Sequence, residues 1–61
     1  MIIIEGPSLF CQQWRVWIED RFGLETFVEY RDTREAALDQ AHIWRTTLDK
    51  RGLTIRGPEA A

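Results

Sequence analysis

The chain has one cysteine and one histidine among 61 residues, two prolines, a single lysine and no long apolar run. Each scarcity excludes something. One cysteine, Cys11, cannot close an internal disulfide. With His42 as the only histidine there is no Cys/His metal cage, and no cofactor is expected. No apolar stretch approaches the roughly 20 residues that a membrane-spanning helix needs. "MIII" is too short for a signal peptide, and the acidic Glu5 follows it at once. An unpaired cysteine without an export signal predicts a reducing, cytoplasmic setting. A chain of this length forms one domain and buries only about 60% of the surface its unfolded form exposes. Without disulfide or metal, its stability must come from large side chains or from a second subunit.

Large side chains are present: three Trp, three Phe and one Tyr. Seven of the eight basic residues are arginine, and charge is uneven along the chain. Between residues 19 and 39, seven carboxylates stand against three arginines, a net −4. Between 45 and 56, Arg45, Lys50, Arg51 and Arg56 stand against Asp49, a net +3. The pattern predicts an acidic side and a basic end.

Residues 1–5 read as a short β-branched strand closed by Gly6-Pro7-Ser8. Its three consecutive isoleucines do not alternate, so either both faces are covered or Ile3 lies on the sheet's second face. Residues 8–13 read as extended or as one helical turn capped by Ser8, with the extended form favoured. "WRVWIED" and "LETFVEY" flank Arg21-Phe22-Gly23, a three-residue hairpin loop with glycine at the left-handed position. Pairing Asp20 with Leu24 sets Trp14 opposite Tyr30, Val16 opposite Val28 and Ile18 opposite Thr26 on one face. The other face then carries Arg15 opposite Glu29, Trp17 opposite Phe27, and Glu19 opposite Glu25. "DTRE" reads as a capping box with Asp32 at the N-cap and Glu35 at N3. Ala37, Ala41, Trp44 and Leu48 form one apolar helical stripe flanked by Leu38. Lys50 and Arg51 fall in the expected last turn and Gly52 at its stop. Leu53 and Ile55 point inward from a final short strand, and residues 57–61 read as a frayed tail. The expected fold is α+β in a single domain, residues 1–56. It has a three- to four-stranded antiparallel sheet with one helix on one face, in the order β-β-β-α-β.

No catalytic constellation emerges, and the expectation is a protein that is not an enzyme. Glu19 and Glu25 face each other, but nothing in the sequence buries them as a general acid requires. Cys11 with His42 would need an orienting group, an oxyanion site and a cleft. The plainer reading is a small apolar filler and a polar helix residue. "EGPS" and "RGPE" lack phosphate-loop glycine spacing. The candidate site is instead a surface: Trp17 and Phe27 as aromatic anchors, ringed by Arg15, Glu19, Asp20, Glu25 and Glu29. Arg15 is expected to orient Glu29. Exposed aromatics with arginine are typical of interface centres, and carboxylates steer association with a basic partner. Three covers for the pair stand side by side: the chain's own Ile3, Leu9 and Phe10, a second copy in a homodimer, or a foreign protein. A nucleic-acid module using Arg45, Lys50, Arg51 and Arg56 is the alternative. A net charge of −2 and a pI of about 5.2 count against it.

The stretch "DTREAALDQA … GLTI", within residues 24–56, resembles the helix and last strand of HicB-type antitoxin folds. Those domains similarly run three strands, a helix opened by a D-T-x-E-E-A-like motif, and a G-x-x-I strand. In size and acidity the chain is also similar to small phage-encoded inhibitors such as anti-CRISPR proteins. Both likenesses imply a non-enzymatic inhibitor that blocks a nucleic-acid-handling partner.

Overall fold

A computed structural model describes residues 1–57; of the expected frayed tail, residues 57–61, all but Gly57 lies outside the described residues. The elements are β1 (Ile2–Glu5), β2 (Trp14–Glu19), β3 (Glu25–Arg31), α1 (Arg34–Thr47) and β4 (Leu53–Arg56). They form an α+β fold with a four-stranded sheet in the order β3-β2-β1-β4. β1, β2 and β3 pair antiparallel, as expected. β4 joins the free side of β1 in parallel, so the sheet is mixed. The helix explains this. Its 14 residues span about 21 Å and carry the chain from the end of β3 back to the end of the sheet where β3 began. A strand starting there must run in the direction of β3, which is also that of β1. No helix among the described residues is long and apolar enough to cross a membrane.

The hairpin loop forms as its sequence requires. Gly23 adopts φ +82°, and its amide donates to the Asp20 carbonyl at 3.0 Å. The Asp20 amide donates to the Leu24 carbonyl at 3.1 Å. Asp20 Oδ1 accepts from the amides of Phe22 and Leu24 at 2.8 and 2.9 Å, an Asx-type lock on the turn. The expected register holds only near the loop, for Ile18 with Thr26 and Glu19 with Glu25. Beyond it the pairing shifts by one residue, so Trp14 faces Arg31, Arg15 faces Tyr30 and Val16 faces Glu29. The shift is a β-bulge centred on Phe27, which takes a left-handed φ of +54°.

Ile2, Ile4, Trp14, Val16 and Ile18 line one face of the sheet and pack with Ala37, Ala41 and Trp44 of α1; Leu38 flanks them. The two alanines let the helix lie close across β1, β2 and β3. The helix begins one residue later than its sequence suggests. Thr33 is the N-cap, and its Oγ1 accepts from the Ala36 amide at 3.1 Å. Asp32 instead accepts from Gln13 Nε2 at 2.8 Å, so the Asp32–Glu35 capping box is not formed. The helix also ends earlier, at Thr47 with Leu48 as C-cap. Asp49 takes the left-handed conformation, with φ +52°, that was expected of Gly52. Lys50 and Arg51 therefore lie beyond the helix. Gly52, also at positive φ, lends its carbonyl to the Ile2 amide at 3.0 Å and starts β4. Residues 8–13 are neither strand nor helix. Ser8 Oγ accepts from the amides of Phe10 and Cys11, and the Ser8 amide donates to the Cys11 carbonyl.

Candidate functional site

The second face of the sheet, away from α1, has its own apolar centre. Ile3 and Trp17 are register partners on β1 and β2, each only 1% exposed. Alternation from Glu29 places the half-buried Val28 on this face beside Trp17. The Arg15 guanidinium lies over the Trp17 ring at 4.6 Å from its centroid. Cation–π attraction and a desolvated arginine stem together close the indole from above. Arg15 is held there by carboxylates on both neighbouring strands, Glu25 at 3.1 Å and Glu5 at 3.8 Å.

This arrangement overturns the expected aromatic pair. Trp17 is a core residue covered by its own chain, with Ile3 and Arg15 as the cover. Leu9 and Phe10, expected as part of that cover, are almost wholly exposed. Phe27 leaves the second face altogether. The bulge turns its ring toward α1, where it meets Trp44 at 6.4 Å between centroids, and it remains 64% exposed. The one-residue shift also separates Arg15 from Glu29. Glu29 sits opposite Val16 and accepts from Arg31 at 3.4 Å. Arg31 in turn donates to Gln40 of the helix at 2.7 Å. Asp20 is engaged in the turn. Of the expected residues, Arg15, Glu19 and Glu25 share the second face, Phe27 and Glu29 lie toward the helix, and Trp17 presents no surface.

The exposed apolar tip of the hairpin was not among the expected contacts. Phe22 is 77% exposed, with the Arg21 guanidinium 5.1 Å from its ring centroid, and Leu24 is exposed beside it. The sequence held the signal for it: a large residue inside a three-residue loop has no strand neighbour to cover it. Glu19 and Glu25 stand opposite each other immediately behind this tip. An apolar knob with carboxylates at its base is therefore carried on a turn fixed by Asp20 and Gly23.

Of the four basic residues of the alternative, Arg56 stands apart from the other three in the fold. Arg45 lies in the last turn of α1. Lys50 and Arg51 lie in the connection to β4, and Arg56 at that strand's far end; all four are exposed. The strand separates Arg51 from Arg56 by about 16 Å. Cys11 is half-buried in the β1–β2 connection, and its Sγ donates to the Gln13 carbonyl. His42 is exposed on α1, and no hydrogen bond joins the two. Among the described residues no group of three or more His, Cys, Asp or Glu is arranged to hold a metal ion. No family model matches the chain, and neither the curated proteins nor the solved structures yield a match.

Proposed function

We propose that this chain is a small, acidic, non-catalytic protein-binding module that inhibits a nucleic-acid-handling protein. Its action would be antitoxin-like or anti-CRISPR-like. The observation that carries the reading is the hairpin tip, where Phe22 is 77% exposed on a turn closed by hydrogen bonds to Asp20 and by the left-handed Gly23. A preorganised apolar residue loses little freedom on docking. The carboxylates of Glu19 and Glu25 behind it suit a partner surface lined with arginine and lysine, the kind that otherwise grips phosphates. Phe27 and Glu29, on the helix side of β3, extend the same acidic and apolar character. The resemblance of "DTREAALDQA … GLTI" to antitoxin domains points the same way.

The nucleic-acid alternative rests on Arg45, Lys50, Arg51 and Arg56, of which Arg56 lies at the far end of β4 from the rest, and the net charge of −2 counts against it. A homodimer built on Trp17 has no support, because Trp17 is already covered within the chain.

The test is capture of a partner from the native host, followed by binding with purified components. Phe22→Ala combined with Leu24→Ala should leave the fold intact and weaken binding at least about tenfold. DNA or RNA should compete with the wild-type chain for the partner. Undiminished binding by the double variant removes the hairpin tip from the interface. A direct, salt-sensitive complex of the chain with nucleic acid favours the alternative.

A further inference from the structure

The outer edge of β4 carries a pairing surface of its own, independent of the hairpin tip. The Ile2 amide donates to the Gly52 carbonyl at 3.0 Å, and the Gly6 amide donates to the Arg56 carbonyl at 2.8 Å. In a parallel ladder the bonding residues alternate, so Thr54 turns its backbone groups toward β1 while Leu53 and Ile55 turn theirs outward. No described strand pairs with that side. The side chains of Leu53 and Ile55 share the helix face of the sheet with their register partners Ile2 and Ile4. Because α1 packs across the other three strands, they remain 38% and 40% exposed. The opposite edge is different. β3 is interrupted by the bulge at Phe27 and bears Glu25, Glu29 and Arg31, features that keep an edge from pairing. β4 has no bulge and no interior charge or proline between Leu53 and Ile55.

We propose that β4 pairs antiparallel with β4 of a second copy, about a two-fold axis through Thr54, to form a continuous eight-stranded sheet. The strand is self-complementary in this register. Leu53 faces the second copy's Ile55, and both present outward amides and carbonyls, so each such pair exchanges two hydrogen bonds. The symmetric arrangement makes two such pairs. All four apolar side chains then meet on the helix face, and Thr54 meets its own copy on the other. A shift by one residue would set Leu53 against Arg56, on opposite faces, and a shift by two would pair only Leu53 or only Ile55 with its own copy, so this register alone pairs all four apolar side chains. A foreign strand would supply no reason for this symmetry about Thr54; a second copy does. The contact is short, which sets the dimer among weak, concentration-dependent ones.

Sedimentation equilibrium from about 10 µM to about 1 mM should show a monomer–dimer equilibrium. Ile55→Pro removes an outward amide while leaving the β1–β4 ladder bonded, and proline is tolerated at such edge positions. A synthetic chain with N-methylated Ile55 does the same and keeps the side chain. Both should weaken the dimer at least about tenfold without altering near-ultraviolet circular dichroism at low concentration. In a Cys11→Ser background, Thr54→Cys should oxidise to a cross-linked dimer, since two-fold partners in this position lie about 4.5 Å apart at Cα. Leu53→Cys should not, because its two-fold mate is displaced by two residues along the strand. A wild-type chain that stays monomeric throughout the range overturns the proposal and leaves the edge to a foreign strand. So does a dimer indifferent to both changes at Ile55, or one that cross-links through Leu53→Cys and not through Thr54→Cys.

Discussion

The two faces of the sheet solve the same burial problem by different means. On one face a whole helix supplies the cover, with Ala37, Ala41 and Trp44 set over Ile2, Ile4, Val16 and Ile18. On the other a single arginine does so, drawn over Trp17 by Glu25 and Glu5. The helix face excludes water by close packing of apolar atoms. The second face does so with one large indole lying beside Ile3 and a charged, partly buried lid held by carboxylates of the two neighbouring strands. The difference teaches how a domain of this size, without an internal disulfide, buries apolar surface on both sides of a sheet with one helix among the described residues. It also explains why Trp17 sits among charged residues: they form its cover.

The comparison breaks most visibly at Trp17. Trp17→Ala should cost about 3–5 kcal/mol. That approaches the whole stability of about 3–9 kcal/mol expected for a chain of this length, so the variant should be largely unfolded by circular dichroism at 25 °C. A folded variant with an unchanged melting midpoint would show that the second face contributes little. On the helix face the sensitive direction is enlargement. Ala41→Leu should destabilise by about 1–3 kcal/mol in urea unfolding, because the helix lies too close to the sheet for added methylenes. The bulge between the two faces gives an inverted order at one position. Phe27→Ala loses the ring contact with Trp44, whereas Phe27→Gly loses it and also relieves the left-handed backbone. Glycine should therefore be the more stable of the two by about 1–2 kcal/mol, opposite to the usual order in a strand. Arg15→Ala should cost about 1 kcal/mol through lost cover and cation–π attraction. Arg15→Met should cost less, and a Trp17 fluorescence red shift in the alanine variant alone would locate the loss at the indole. Smallest of all, Phe22→Ala should change stability by no more than about 0.5 kcal/mol, because the side chain touches little of its own chain. Its effect belongs to partner binding.

Much of the fold was legible because it is written in short-range interactions. The Asp20–Gly23 turn depends on four neighbouring residues, and Ala37, Ala41 and Trp44 follow a period that any amphipathic helix shows, while Leu48, the fourth member of the expected stripe, is the C-cap and stays exposed. The N-cap shows how thin the local margin is. Asp32 and Thr33 are both good caps, and Gln13, a residue 19 positions away, engages Asp32 and leaves the role to Thr33. The candidate site was less legible. Arg15, Glu19 and Glu25 were correctly placed on one face, since alternation and the loop fix that much. Glu29 and Phe27 were misplaced because one bulge reversed the facing of everything beyond it.

The amino-acid pattern by itself determined the order of elements, the hairpin turn, the buried stripe of α1 and the excess of carboxylates around the hairpin, all set by neighbours within a few positions. Tertiary structure alone decided the bulge at Phe27, the parallel docking of β4 and the burial of Trp17. Each depends on groups far apart in the chain meeting in space. The ring of Phe27 meets Trp44, β4 takes the open side of β1, and Arg15 closes over the indole once carboxylates from two other strands flank it.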